Sequence, residues 1–240
     1  AQLIVLDPFW FTTTRDRGVG RNSGGGGGGG GGERGTAAAD LVNTDDNWSR
    51  TLGKDQYDWL THTLETSKSQ YKFVFIHHLV GGLGRAVRGG VESSVFFEWG
   101  GQNADGSPGF AEHRAGWAMP IHDLLAKHHV SAVFHGHDHL YVRNSRDGVV
   151  YQCVPQPGNI RGGTRSAEEY GYKTGDIFGS PGHVRVHISA DKATVAFVRS
   201  ITTDDDGRNG KGRGGQGGGA REANGDIVHS YDILPAPANR

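Results

Sequence analysis

Scarcity is the first feature of this 240-residue chain, which holds one cysteine (Cys153), one methionine (Met119) and eight prolines. A single cysteine excludes an internal disulfide framework and any zinc ribbon built on paired cysteines. Net charge is missing as well, with 25 Lys and Arg against 26 Asp and Glu. That balance leaves no basic field for nucleic acid and no acidic tail for solvation. No apolar run reaches the ~18 residues of a membrane-spanning helix, and no basic stretch followed by a leader-like segment opens the chain. What is abundant is glycine, at 41 residues against a usual share of about 7%. No G-X-Y period points to collagen.

The glycine is concentrated. Nine form the unbroken run Gly24–Gly32, and eight more fall between Gly207 and Gly219. Such stretches cannot bury apolar surface to offset their backbone entropy, so they read as mobile loops over 23–36 and 204–224. The rest of the chain, 1–234, is long enough for one sizeable core.

Gln2–Leu6 is a short apolar run ending in Asp7-Pro8, the pattern of a buried strand meeting a loop. The chain starts at Ala1 inside this strand, so an upstream segment is expected, either removed or part of a longer protein. In Asp55–Glu65, Tyr57, Leu60 and Leu64 share one helical face, with acids at the N-terminal end where the helix dipole favours them. Tyr71–Ile76 is apolar at nearly every position and too short for a helix. A strand covered on both faces reads this way, which favours a parallel or mixed sheet flanked by helices.

Leu79 to Gly116 is a long loop rich in glycine and aromatics, and loops of that length are usually functional. A second helix is expected over Trp117–His129, with Met119, Leu124 and Leu125 inward and Pro120 in its first turn. Val130–Phe134 is a further buried strand. Strands over 149–154, 184–189, 193–198 and 227–234 alternate more clearly and suggest an antiparallel edge of the sheet. The fold class is α/β, or α+β, in layers.

Two of the buried strands end in histidine: Phe75-Ile76-His77-His78 and Phe134-His135-Gly136-His137-Asp138-His139. Ligands of open α/β sheets gather at the carboxyl ends of strands. His137 and His139 are two apart and can point to the same side of an extended chain. Gly136 allows a sharp turn before them, and neutral imidazole is the commonest metal ligand. His77, His137 and His139 are therefore the candidate metal ligands. His62, His113, His122, His128, His129, His183, His187 and His229 sit on helix faces, loops or alternating strands and read as structural.

At these residues the chain resembles the calcineurin-like metallophosphoesterases, the superfamily that includes the purple acid phosphatases. The resemblance lies in the hydrophobic strand Phe73–His77 with His78, and in Gly136-His137-Asp138-His139. Gln56-Tyr57-Asp58-Trp59-Leu60 is similar to the family's Gln-x-x-Trp-Leu segment, and Trp117-Ala118-Met119-Pro120 lies between the two motifs. The match covers about Gln2 to Val154. It implies a layered α/β/β/α sandwich with a mixed sheet, and hydrolysis of a phosphate ester by a metal-bound hydroxide. It also implies two divalent or trivalent metal ions, roughly 3.5–4 Å apart, with Zn, Fe, Mn and Ni all compatible with imidazole.

Carried over by position, His77 and His137 would bind one ion and His139 the other, with His78 as the alternative to His77. Asp138 would support the ligands from behind or shape their turn. Arg85, Arg88, Glu98 and Trp99 would border the substrate pocket, the arginines facing phosphate oxygens. An extracytoplasmic or secreted location would fit.

The family's earlier motifs, Asp-x-His, Gly-Asp-x-x-Asp and Gly-Asn-His-Asp/Glu, are absent. Gly175-Asp176 and Gly225-Asp226 follow the Gly-His-x-His motif instead of preceding it, and Gly158-Asn159 continues with Ile160. No catalytic residue is thereby identified. The chain is expected to be the C-terminal portion of such a domain, lacking N-terminal strands. It would be weakly active or inactive without the missing half, supplied in cis or as a second chain. The competing expectation is a non-catalytic structural or assembly subunit. Arg-Gly-Gly at Arg88, Arg161 and Arg213 raises RNA binding as a third, which three scattered copies and a net charge of −1 argue against.

Overall fold

The computed structural model describes residues 1–9, 44–82, 88–158, 163–201 and 223–237. The loop expected over 23–36 lies outside the described residues, as does most of the one over 204–224. Strand β1 (Gln2–Leu6) pairs in parallel with β2 (Lys72–Ile76), and β2 in parallel with β3 (Ala132–His135). The chain then forms β4 (Leu140–Arg146) and returns as β5 (Val149–Cys153), which lies parallel to β3 and antiparallel to β4. With β6 (Asp176–Gly179), the six-stranded order is β1-β2-β3-β5-β4-β6.

Parallel neighbours require crossovers, and helices supply those before β2 and β3, while β4 connects β3 to β5. Helix α1 (Lys54–Thr66) precedes β2. Between β2 and β3 the expected loop holds three single-turn helices, α2 (Gly90–Ser93), α3 (Phe97–Gly100) and α4 (Phe110–His113). They lead to α5 (Ile121–Lys127), which starts later than Trp117 because Pro120 caps it in an extended conformation, φ −54° and ψ 152°. A short α6 (Arg165–Glu169) stands before β6.

The apolar periodicity becomes the core directly. Tyr57, Leu60 and Leu64 of α1 and Ile121, Leu124 and Leu125 of α5 pack on Ile4, Leu6, Val74, Ile76 and Val133 of the sheet. On the opposite face, Phe73, Ala132, Phe134 and Val150 meet a second sheet. It is antiparallel, in the order β7 (Gly182–Ile188), β8 (Ala193–Arg199), β9 (Ile227–Ile233). The central strands β2 and β3 are thus covered on both sides, as their unbroken apolar runs require.

The later strands depart from expectation in one respect. Those of 184–198 and 227–234 form a separate layer, while β4 and β6 make the antiparallel edge of the main sheet. Charged Arg143 and Arg146 interrupt the apolar pattern of β4, and β6 has only four residues, so neither stood out as a strand. The described layers are helices, mixed sheet and antiparallel sheet.

The second sheet stops short of β1. Leu3 and Val5, on the face of Phe73 and Phe75, remain 65% and 72% exposed while Ile4 and Leu6 beside them are buried. Among the described residues no helix is long and apolar enough to cross a membrane.

Burial ranks the positions on the helices. Leu124 is fully enclosed between α5 and the sheet, whereas Trp59 is half exposed on α1. Leu124→Ala should destabilise the fold by about 2–5 kcal/mol and Trp59→Ala by about 0.5 kcal/mol or less, read as urea unfolding midpoints. Equal effects would misplace this core.

Candidate functional site

The parallel register sets the carboxyl ends of β2 and β3 side by side, with Ile76 opposite His135. Just beyond, the Gly136 N–H donates to the His77 carbonyl at 2.9 Å, tying the two histidine-bearing loops together. As a result His77 Nε2 lies 3.1 Å from His137 Nδ1. The His78 ring centroid is 5.6 Å from each of the other two, which are 5.1 Å apart.

Phe9 completes one wall, edge-on to His78 at 5.1 Å. It is placed by the turn after β1, where its N–H donates to Asp7 Oδ1 at 2.8 Å. The Asp7 main chain is held in turn by the Gln56 amide, through bonds of 2.8 and 2.9 Å. Gln56 of the Gln-x-x-Trp-Leu segment therefore anchors α1 to the turn that carries Phe9.

Burial, followed by the charges of His137, His77, Arg50 and Arg88, pulls the His78 pKa down to about 3. That keeps its imidazole neutral, the form that ligates metals.

The structure brings together His77, His78 and His137, both members of the doubled pair instead of one. His139 does not join this ring cluster among the described residues. The extended-chain argument for His137 and His139 does not hold, because β3 ends at His135 and both residues adopt left-handed backbone, φ 76° and 58°. For a side chain other than glycine such a conformation costs about 1–3 kcal/mol each.

Asp138, between them, is buried. Its Oδ2 accepts the Tyr172 hydroxyl at 2.7 Å. Its Oδ1 faces Arg88 Nε at 2.9 Å, an ion pair out of line for a hydrogen bond. The His139 carbonyl accepts the Ser180 hydroxyl.

The expected pocket residues are dispersed. Arg85 lies outside the described residues. Arg88 is committed to Asp138, with its guanidinium 4.2 Å over the Tyr170 ring. Glu98 is fully buried and accepts from Thr51 Oγ1 at 2.5 Å, the Leu52 N–H at 2.8 Å and Arg114 Nε at 2.5 Å. Burial pushes its pKa up, and Arg114 is the foremost influence pulling it back. Trp99, also interior, donates its indole N–H to the Tyr151 hydroxyl at 2.9 Å. Glu98 and Trp99 tie the long loop to the body and do not sit with the histidines. His122, read as structural, is buried between Tyr151 and Asp147.

Residues that sequence reasoning passed over stand behind the turn. His135 is 2% exposed with neither ring nitrogen hydrogen-bonded, and burial lowers its pKa to about 4. A Cβ at Gly89 would come within 2.6 Å of the Tyr172 hydroxyl and 2.8 Å of the His135 ring, so only glycine fits beside Arg88. Tyr172 carries no local motif that would have found it, and Gly89 was visible only as part of the Arg-Gly-Gly at Arg88.

An open cavity of about 330 Å³ adjoins His77, with walls that include Val5, Phe75, Phe134 and Val154.

Among the described residues the donors at this cluster are imidazoles alone. Asp138 has its oxygens turned to Tyr172 and Arg88, and Asp7 accepts from Phe9. Among the described residues no group of three or more His, Cys, Asp or Glu side chains is arranged to hold a metal ion. His77, His78 and His137 have the chemistry of a borderline-metal site, but the residues present do not fit a carboxylate-bridged pair of ions.

Neither a protein-family model nor a curated protein matches the chain. Solved structures resemble it distantly. GAP50, the anchor in the inner membrane complex of Plasmodium, aligns at 12% identity and TM-score 0.44 over 78% of this chain and 44% of its own. PhoD aligns at 13% identity and TM-score 0.41, over 67% and 32%. The purple acid phosphatase PPD1 of yellow lupin (Lupinus luteus) seeds aligns at 14% and TM-score 0.37, over 77% and 29%. The chain spans less than half the length of each. At this level the three similarities carry no chemistry across.

His135 and His78 make stability depend on pH. Their folded pKa values, about 4 and about 3, lie below the ordinary histidine value of 6.5. Between those limits the unfolded chain takes up protons that the folded chain refuses. Stability is therefore full above pH ~6.5 and falls with acidification, by up to about 1.4 kcal/mol per pH unit for each histidine. Urea midpoints at pH 7 and pH 5 should show the loss, and His135→Gln should flatten it. An unchanged slope in that variant would assign the acid sensitivity elsewhere.

Proposed function

We propose that this chain is the histidine-bearing part of a metal-dependent phosphoesterase, whose metal-bridging carboxylates come from an upstream segment or a second chain. The observation that carries the reading is the approach of His77 and His137 from the ends of two parallel strands, with Asp138 turned to Tyr172 and Arg88. In this reading His77 and His137 hold one ion, with His78 in reserve, and His139 contributes to the other. Zn, Fe, Mn or Ni would suit these donors. The substrate is a phosphate ester, drawn to a site that supplies neutral imidazoles and the positive charge of Arg50 nearby.

A second reading, a non-catalytic assembly subunit, draws on two observations. No described group is arranged for a metal, and the strip of Leu3 and Val5 on the β1 edge is of the kind that invites pairing with another chain.

Metal analysis and an aryl phosphate assay separate the two. The isolated chain should hold less than one equivalent of metal and turn over at background, even with metal added. With the missing half supplied, two equivalents and measurable turnover should appear, and His77→Ala or His137→Ala should return turnover to background. Robust turnover by the isolated chain would overturn the divided site. Metal-free, inert assemblies of the two parts would favour the assembly role.

A further inference from the structure

We propose that Asp138 is a positioning residue: clamped by Tyr172 and Arg88, it locks the left-handed turn that carries His137 to His77. The inference rests on the reading of His77 and His137 as ligands.

The turn cannot hold itself. His137 and His139 both have positive φ, although neither is glycine, the residue to which that conformation comes without steric cost. The conformation must then be imposed by surrounding contacts. Asp138, the residue between them, has a side chain only 1% exposed, and both its oxygens face groups from distant segments. Tyr172 follows α6 and is packed among Leu140, Val142, Cys153 and Ala167, so its hydroxyl is a fixed point. Arg88 arrives from the loop before α2, its ring contact with Tyr170 and its backbone bond to the Tyr170 carbonyl setting the guanidinium in place.

Gly89 allows that approach, since a side chain there would strike Tyr172 and His135. The clamp thus joins the 88–90 segment, the 170–172 segment and the strand-end turn at one carboxylate. Arg88, read from sequence as a phosphate contact, acts through Asp138 instead, and Asp138 acts through the backbone of its two neighbours.

The test is the imidazole 15N NMR of His77 and His137 in the unmodified, metal-free chain and its variants at one pH, with thermal unfolding measured alongside. Asp138→Ala and Tyr172→Phe should both shift the His77 and His137 signals, because the 3.1 Å approach of their nitrogens is lost. Leu124→Ala, in the helix-side core, should lower the melting temperature without moving those signals. Asp138→Asn keeps an acceptor for the Tyr172 hydroxyl and should hold the signals nearer the unmodified chain than Asp138→Ala does.

If Asp138→Ala does not fold, Tyr172→Phe, which removes one hydroxyl and leaves the ring, carries the comparison. Variants that lose stability while His77 and His137 keep their signals would reduce Asp138 to a structural residue and overturn the proposal. Metal content does not enter this comparison. A chain that never binds metal would refute the proposed function and leave the clamp to be judged on the imidazole signals alone.

Discussion

One hydrogen bond, from the Gly136 N–H to the His77 carbonyl, joins the two loops on which the site depends. It continues the β2–β3 ladder one step past the last paired residues, Ile76 and His135. A parallel ladder brings like ends of strands together, so any residue type that follows both strands is concentrated at one edge. Here that residue type is histidine. A one-residue slip in register would turn the apolar faces of β2 and β3 the wrong way, so the packing that stabilises the core also specifies the histidine approach. Phe73 and Phe134 facing one layer, with Val74 and Val133 facing the other, hold that register from both sides.

Past the ladder the chain leaves regular structure, and control passes from main chain to side chains. The His137–Asp138–His139 turn has left-handed residues on either side of a buried carboxylate. Buried polar groups are demanding because each unmet one loses its contact with water without replacement. Asp138 meets that demand at Oδ2 through the Tyr172 hydroxyl and has its charge paired by Arg88, whereas His135 behind it does not and is held neutral instead. The same logic governs Glu98, which gathers Thr51, Leu52 and Arg114 into the long loop. Polar residues that looked like chemistry in sequence are, in these places, the fastenings of irregular backbone.

What sequence could reveal follows from this division. The helix at Tyr57, Leu60 and Leu64 and the doubly covered strand at Lys72–Ile76 were legible because periodicity and burial are local signals. The meeting of His77 with His137 was legible because strand ends repeat a simple rule. Its details were not. Whether His78 or His139 joins depends on backbone handedness after His135, which no spacing encodes. Arg88, Glu98 and Trp99 were placed near a pocket because they share a loop, but three single-turn helices inside that loop turn Glu98 and Trp99 into the core. The partition of the late strands into a second sheet depends on long-range pairing that alternation alone cannot choose.

Among the described residues only imidazoles stand ready as donors at the cluster, and this bears on how many ions it could hold. Two unit charges 4 Å apart at an effective dielectric of 20 interact by about 4 kcal/mol, so two dications repel by about four times that, roughly 16 kcal/mol. Neutral imidazoles donate electron pairs but no compensating charge, and a bridging carboxylate is the usual means of relieving the repulsion. His77, His78 and His137 therefore lend themselves to one ion far more readily than to two, and on the proposed reading the compensating negative charge comes from outside the described residues. Leu3 and Val5 are a second open feature, since the second sheet that covers β2 and β3 leaves these two side chains of β1 exposed. The exposed apolar side chains and the histidine cluster thus lie on neighbouring strands, β1 and β2. On the proposed reading, a single segment that covered β1 and brought an aspartate to the strand ends would serve both.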